Sequence, residues 1–227
     1  MGAALQKAAV LLVSGDAQLW KIVSVTLRMT VSSTLAAFLI GVPLGVLLAT
    51  GSFPGKNLLI VLNRTLMSMP PVVCGLFCYL LFSGTGPLRQ YHLLYTVRGM
   101  VIAQVILLTP VMVGNMETYL AGILGDFLET AKGLRLPAGR KLLLVLNESK
   151  YQVISACLLI WGRAMAEVGA VSMVGGAIAY KTNVMTTAIM MYTNMGDFTL
   201  GLALGILLLG FSLVINTTVY WFQRKFL

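Results

Sequence analysis

The segment MTVSSTLAAFLIGVPLGVLLAT, residues Met29–Thr50, has no charged side chain over 22 consecutive residues. As an α-helix it would be about 33 Å long, which is enough to cross the hydrocarbon core of a bilayer. We therefore predict that these residues form a transmembrane helix.

Four further apolar segments follow this one. Thr65–Leu88, Gly99–Met116 and Phe198–Gln223 lack charged residues, and Tyr151–Tyr180 contains only Arg163 and Glu167. The pattern predicts an all-α polytopic membrane protein with five transmembrane helices. A sixth would come from residues 1–20 or from 182–196, although the latter is short and polar enough to suit a re-entrant piece that lines a cavity.

The composition supports a membrane protein. Mean hydropathy is +0.90, and charged residues make up 10% of the chain, against about 25% in soluble domains. A soluble enzyme, a disordered tail and a disulfide-stapled secreted domain are thereby excluded. The net charge of +9 comes from dispersed lysines and arginines, so it indicates membrane topology rather than binding to nucleic acid.

Few residues of this chain suit enzymatic or metal chemistry. Cys74 and Cys78 lie four apart in an apolar run, and we predict that they are small buried hydrophobic residues. His92 is the only histidine, so a zinc site or a histidine-based triad has little to build on. We expect no metal site and no catalytic residue.

The polar stretch at residues 126–150 sets the predicted domain organisation and orientation. We divide the chain into an N-terminal surface or partial membrane segment, 1–18, and one transmembrane domain, 19–227. With 126–150 in the cytoplasm, nine of the 16 lysines and arginines lie inside, six lie outside and Arg163 lies in the membrane. This bias predicts an external N terminus and a cytoplasmic C terminus, whereas an even number of spans would move the N terminus inside.

Prolines and glycines within the spans suggest kinks and close packing. Each proline removes a helical hydrogen bond, and the freed carbonyl needs a partner in protein or in a wet cavity. The kinks would therefore mark a pathway or simply a packing irregularity. The prolines are Pro43, Pro70, Pro71 and Pro110, and the pairs Gly41/Gly45 and Gly201/Gly205 predict close helix packing.

The segment GSFPGKN, residues Gly51–Asn57, resembles a phosphate-binding loop only superficially. Its glycine spacing is one residue short, and Asn57 replaces the serine or threonine that would bind magnesium. We predict a short turn between two spans.

The segment WGRAMAEVGA, residues Trp161–Ala170, places two opposite charges in an apolar span. Arg163 and Glu167 are i, i+4 neighbours on one predicted helix face. Helix from Lys150 to Arg163 would rise about 20 Å, to the middle of the bilayer, where ionised groups are usually functional. The two form either a buried lock between helices or a site in which Arg163 presents its charge to an anion. For a lock, loss of Arg163 alone would harm the protein more than loss of both.

The stretch from Glu129 to Ala170 resembles the cytoplasmic EAA loop and the following helix of ABC-importer permeases. The later segments VSMVGG, Thr186–Ile189 and Gly196–Phe198 are similar to the molybdate, tungstate and sulfate branch, and to tungstate permeases above all. Upstream, MPPVVCGL, residues 69–76, is similar to the Pro-Pro-x-x-x-Gly signature of that branch. The resemblance covers residues 20–223, and it departs from the family at Arg135, where a glycine is usual, and at 147–148, where Leu-Pro is usual.

This resemblance implies a type I ABC-importer permease fold with alternating access driven by ATP hydrolysis on a separate subunit. Residues 126–150 would be the coupling loop, with Glu129 capping or orienting the start of its helix. The implied coupling residues are Leu128, Glu129, Ala131, Gly133, Leu134, Arg135 and Leu136. Those of the pathway are Arg163, Glu167, Pro70, Pro71, Thr186 and Thr187.

The resemblance also implies partners and a location. Two ATP-binding subunits would hold ATP and Mg²⁺, a second permease copy would complete the pathway, and an extracellular or periplasmic protein would deliver the substrate. This chain would bind no cofactor and would lie in the inner or plasma membrane. Tungstate is the first expected substrate, with molybdate or sulfate as alternatives. A secondary transporter driven by protons and a membrane-embedded enzyme are the competing classes.

Overall fold

The fold, taken from a computed structural model, is entirely helical over the residues that the structure describes. These are residues 14–133 and 149–226, together with Gln6, Ala9, Val10 and Asn147. For 123–133, 225 and 226 the backbone alone is described. Eight α-helices lie in these ranges: α1 (Ala17–Thr50), α2 (Lys56–Met67), α3 (Pro71–Phe82), α4 (Val97–Gly133), α5 (Lys150–Met165), α6 (Gly169–Gly175), α7 (Met185–Asn194) and α8 (Phe198–Phe226).

Helix α1 is longer than the apolar window that predicted it. It begins after Asp16, whose carboxylate accepts a 2.8 Å hydrogen bond from the backbone N–H of Leu19, as expected of an N-cap. Lys21 and Arg28 lie within the helix rather than before it. The absence of charge therefore located the membrane-spanning part of α1, while the N-cap determines where the helix starts.

Among the residues that the structure describes, three helices are long and apolar enough to cross a membrane: α1, the Val97–Gly122 part of α4, and the Phe198–Arg224 part of α8. If each of two bent helix pairs is one span, the count rises to five, which is the predicted number. The axes of α2 and α3 differ by 96°, and those of α5 and α6 by 57°. Thr65–Leu88 is therefore not one straight span, because the chain turns at Pro70 and Pro71.

The four prolines behave in two ways. Pro70 is the N-cap of α3 and Pro71 is its first residue, where a missing N–H costs nothing. Pro43 and Pro110 lie inside α1 and α4, and neither interrupts its helix. Only the proline pair marks a helix boundary.

Helices α1 and α4 pack closely through the first glycine pair, as predicted. A Cβ on Gly41 would lie 2.7 Å from the Cβ of Met112, and one on Gly45 would collide with Met116. The second pair is half engaged within this chain: a Cβ on Gly201 would lie 3.3 Å from Oγ1 of Thr193 in α7, whereas no atom comes within 4 Å of one built on Gly205. Helix α5 joins the core of α1 and α4 through Val153, Ala156 and Ile160.

The segment Gly51–Asn57, which superficially resembles a phosphate-binding loop, contains a turn, as predicted. Gly55 has a positive φ of 85° and precedes α2. The Lys56 ammonium group donates hydrogen bonds to the carbonyls of Ala49 (3.4 Å) and Gly51 (3.0 Å) at the end of α1. The lysine therefore neutralises a helix C terminus. Cys74 and Cys78 are buried in the core, also as predicted.

Candidate functional site

The predicted charge pair lies at a break between helices. Helix α5 ends at Met165 and α6 begins at Gly169, so Arg163 and Glu167 do not share one continuous helix face. They form no ion pair within 4 Å, and the salt bridge seen among the described residues joins Arg64 to Glu117 at 3.5 Å. The prediction of an i, i+4 pair is wrong, because that spacing brings side chains together only on an unbroken helix.

Glu167 instead contacts the two elements that follow it. Its carboxylate oxygen Oε1 accepts a 3.2 Å hydrogen bond from the backbone N–H of Ala170 in the first turn of α6. Its backbone carbonyl accepts a 2.8 Å hydrogen bond from the hydroxyl of Thr186. A carboxylate at a helix N terminus is stabilised by the free N–H groups there, so Glu167 is held without Arg163.

Thr186 and Thr187 have different roles at the start of α7. Thr186 reaches the break, as described above. Thr187 is fully buried, and its hydroxyl accepts a 3.0 Å hydrogen bond from the N–H of Val184 while lying 2.9 Å from Oδ1 of Asn183. The hydroxyl of Thr187 is thus occupied in capping α7.

The proline pair lies beside the same break. A Cβ on Gly169 would lie 3.0 Å from the backbone N of Val72 and 3.3 Å from the Cβ of Pro71. One turn further, a Cβ on Gly75 would lie 2.8 Å from the Cα of Ala170. The start of α3 and the start of α6 therefore touch backbone to backbone, which only glycine allows at these positions.

Arg163 is exposed and has no ion-pair or hydrogen-bond partner among the described residues. It lies 13 residues after Lys150, which corresponds to about 20 Å of helix from the start of α5. A cation this far along a candidate membrane-spanning helix requires water, an anion or a partner chain, because lipid does not solvate it. The geometry leaves the guanidinium group of Arg163 available for such a contact.

Sequence analysis missed a set of uncharged polar residues next to the break. Gln104 of α4 is fully buried; its Nε2 donates to the carbonyl of Ala164 at 2.7 Å, and its Oε1 lies 2.6 Å from the hydroxyl of Ser33. The indole N–H of Trp161 donates to the hydroxyl of Thr30 at 3.2 Å. A signal was present, since Gln104 is one of two side-chain amides, with Asn115, in the apolar window Gly99–Met116.

The predicted coupling residues fall at the end of α4 and beyond it. The backbone at Leu128, Glu129, Ala131 and Gly133 continues α4, which ends at Gly133. Glu129 therefore lies within the described backbone of α4, and its predicted role in capping or orienting the start of the coupling helix stays a prediction. Leu134, Arg135 and Leu136 lie outside the described residues.

The long apolar helices and the two bent helix pairs, with polar groups buried between them, are those of a polytopic α-helical membrane protein. The family model for the inner membrane component of binding-protein-dependent transport systems matches residues 41–227. The chain belongs to this family.

Individual relatives agree with the family. The tungstate uptake system permease protein TupB of Peptoclostridium acidaminophilum is 36% identical over 95% of this chain and 94% of its own length. A probable anion ABC transporter permease of Haloferax volcanii is 34% identical over 89% of this chain and 90% of its own.

A solved structure supports the fold. A chain of the MetNI methionine ABC transporter, in an inward-facing conformation, superposes with a TM-score of 0.67, covering 94% of this chain and 97% of that one. The sequence identity is 17%, so this likeness concerns the fold, which is that of a type I ABC-importer permease.

Proposed function

We propose that this chain is the membrane-spanning subunit of an ABC importer that takes up a tetrahedral oxyanion, with tungstate as the first substrate and molybdate as the alternative. The observation that supports it most strongly is the 36% identity to a tungstate uptake permease over 95% of the chain. Because the similarity extends over both chains almost entirely, it includes the spans, the bends and the polar break together.

Arg163 is proposed to meet the oxyanion in the translocation pathway. Arg163 is exposed, its expected depth is the middle of the membrane, and Glu167 does not neutralise it, because the Glu167 carboxylate contacts the N–H of Ala170 instead. A guanidinium group matches the oxygens of an oxyanion geometrically as well as in charge. Pro70, Pro71, Glu167 and Thr186 would hold the surrounding backbone in place.

Energy is proposed to come from a separate ATP-binding subunit that docks on residues 126–150. Two such subunits with ATP and Mg²⁺, two copies of this permease and an external binding protein would make the complete importer. This arrangement places the end of α4 and the N terminus of α5 in the cytoplasm, the N terminus of the chain outside and its C terminus inside. The permease itself would catalyse no reaction.

The substrate class can be tested in cells from which the gene for this chain has been deleted. We expect uptake of tungstate, measured as intracellular metal, to fall to the level of passive entry and to recover on complementation. Competition with molybdate and sulfate would rank the three anions. Unchanged uptake of all three oxyanions in the deletion strain would contradict the proposal.

A further inference from the structure

One face of α1 is polar although it is completely buried. Thr26, Thr30 and Ser33 follow the i, i+4, i+7 spacing of a single helix face, and each is at most 1% exposed. Buried hydroxyls in a membrane protein are costly unless they are hydrogen-bonded. The hydrogen-bond partners of these three hydroxyls therefore identify the elements that this face of α1 holds in place.

The polar face contacts three different elements around the helix break. Thr26 accepts a 2.9 Å hydrogen bond from the N–H of Met185 at the start of α7. Thr30 accepts from the indole of Trp161 in α5. Ser33 lies 2.6 Å from Oε1 of Gln104 in α4, and Gln104 in turn contacts the end of α5.

The orientation of the Gln104 side-chain amide follows from its partners. The carbonyl of Ala164 can only accept, so the NH₂ group must point to it, which leaves Oε1 to accept from the hydroxyl of Ser33. The carbonyl of Ala164 lies in the last turn of α5, where the N–H of Glu167 donates a long hydrogen bond of 3.3 Å to it. Gln104 supplies a side-chain donor at the place where the helix stops.

We propose that Gln104 is a positioning residue: by holding the carbonyl of Ala164, it fixes the helix break and the direction in which the adjacent Arg163 extends. Gln104 does not touch the oxyanion in this account. The inference rests on the proposed function, because Arg163 matters to transport only if it meets the substrate. Ser33 holds the Gln104 amide in turn, so α1, α4 and the break form one hydrogen-bonded unit.

The test compares Gln104→Met, which keeps the size but removes both hydrogen bonds, with Gln104→Glu in the complete importer. A neutral carboxyl group can donate to Ala164 and accept from Ser33, whereas an ionised one repels the carbonyl of Ala164. We expect Gln104→Met to reduce tungstate uptake about tenfold, as for the loss of one well-made buried hydrogen bond. Gln104→Glu should support uptake at about pH 5.5 and lose it by about pH 8.

A second readout follows the break without reference to transport. Ala166 is exposed within the break, so a cysteine introduced by Ala166→Cys can be labelled with a maleimide. The same protein with Ala166 unchanged measures the background labelling of Cys157. We expect Gln104→Met to change the labelling rate about tenfold, and Gln104→Glu to change it at the higher pH only. Each rate is divided by that of the Ala166→Cys protein with Gln104 intact at the same pH, which removes the pH dependence of the thiol itself.

Asn63→Leu is the matched control, because Asn63 also donates a side-chain hydrogen bond, 3.0 Å long, to a backbone carbonyl of α4, that of Pro110. It should leave the labelling rate at position 166 unchanged. An unchanged labelling rate in Gln104→Met would overturn the proposal, whatever the uptake. If Gln104→Met does not fold, a Gln104→Glu protein without pH dependence overturns it instead. Failure of the unmodified importer to transport tungstate would refute the proposed function but leave the labelling result valid.

Discussion

The hydroxyl of Thr186 donates a 2.8 Å hydrogen bond to the backbone carbonyl of Glu167 and thereby ties the start of α7 to the break between α5 and α6. Thr186 is 8% exposed, so water does not readily replace it. The two residues are 19 positions apart: Glu167 lies in the break, and Thr186 lies in the first turn of helix α7. The break is thus held by contacts from other elements.

Replacing Thr186 tests this contact. We expect Thr186→Val, which keeps the shape and removes the hydroxyl, to lower the free energy of unfolding by about 1–3 kcal/mol, the range for a buried group left without its partner. Thermal unfolding in detergent would measure the change. Thr186→Ser keeps the hydroxyl and should stay within about 1 kcal/mol of the unmodified protein. Equal losses in both variants would show that the methyl group matters rather than the hydrogen bond.

The contact between α3 and α6 predicts an asymmetric effect of alanine at two helical glycines. Gly75→Ala would place a Cβ 2.8 Å from the Cα of Ala170, and we expect it to destabilise the protein by about 1–3 kcal/mol through overpacking. Gly205→Ala meets no atom within 4 Å and should be neutral or stabilising by up to about 1 kcal/mol, since alanine favours helix. Similar unfolding temperatures for the two variants would contradict this packing.

Arg163 and Glu167 should act independently. Because they form no ion pair, we expect a double-mutant cycle with Arg163→Ala and Glu167→Gln to give an interaction energy within about 0.5 kcal/mol of zero in thermal unfolding. Arg163→Ala alone should abolish tungstate uptake while the complex still assembles. A large favourable interaction energy would instead indicate that Arg163 and Glu167 form the buried ion pair that the structure does not show.

The coupling assignment predicts loss of energy transfer without loss of insertion. We expect Leu134→Asp to prevent the ATP-binding subunits from co-purifying, because a carboxylate replaces an apolar contact residue in a protein interface. Gly133→Asp should act likewise. Gly84→Asp, in the loop between α3 and α4, places the same charge away from residues 126–150 and should leave co-purification intact. Co-purification and uptake that survive in Leu134→Asp would refute this docking site.

The spans were predictable from sequence because lipid tolerates few charges, which makes long uncharged windows specific. The helix boundaries were less predictable. The N-cap of α1 is an aspartate, Asp16, which lies 13 residues before Met29. Prolines did not reliably indicate helix boundaries. Pro43 and Pro110 lie inside unbroken helices, whereas Pro70 and Pro71 lie at the boundary between α2 and α3.

The break at Ala166 has no local signal. Alanine and methionine around it favour helix, so an unbroken α5 and an i, i+4 pair were the natural prediction from the sequence. The break depends instead on Gln104 and Thr186, which are distant in sequence. Thr26, Thr30 and Ser33 could have been found by their helical spacing, because hydroxyls on one face of a membrane helix need partners.

The proposed permease imports an oxyanion only when ATP is hydrolysed by its partners. The most direct measurement is tungstate uptake into proteoliposomes that contain the permease and the ATP-binding subunits, with tungstate-loaded binding protein outside and ATP inside. We expect uptake that requires ATP and does not respond to an imposed proton gradient. Uptake by the permease alone, driven by the proton gradient without ATP, would contradict it.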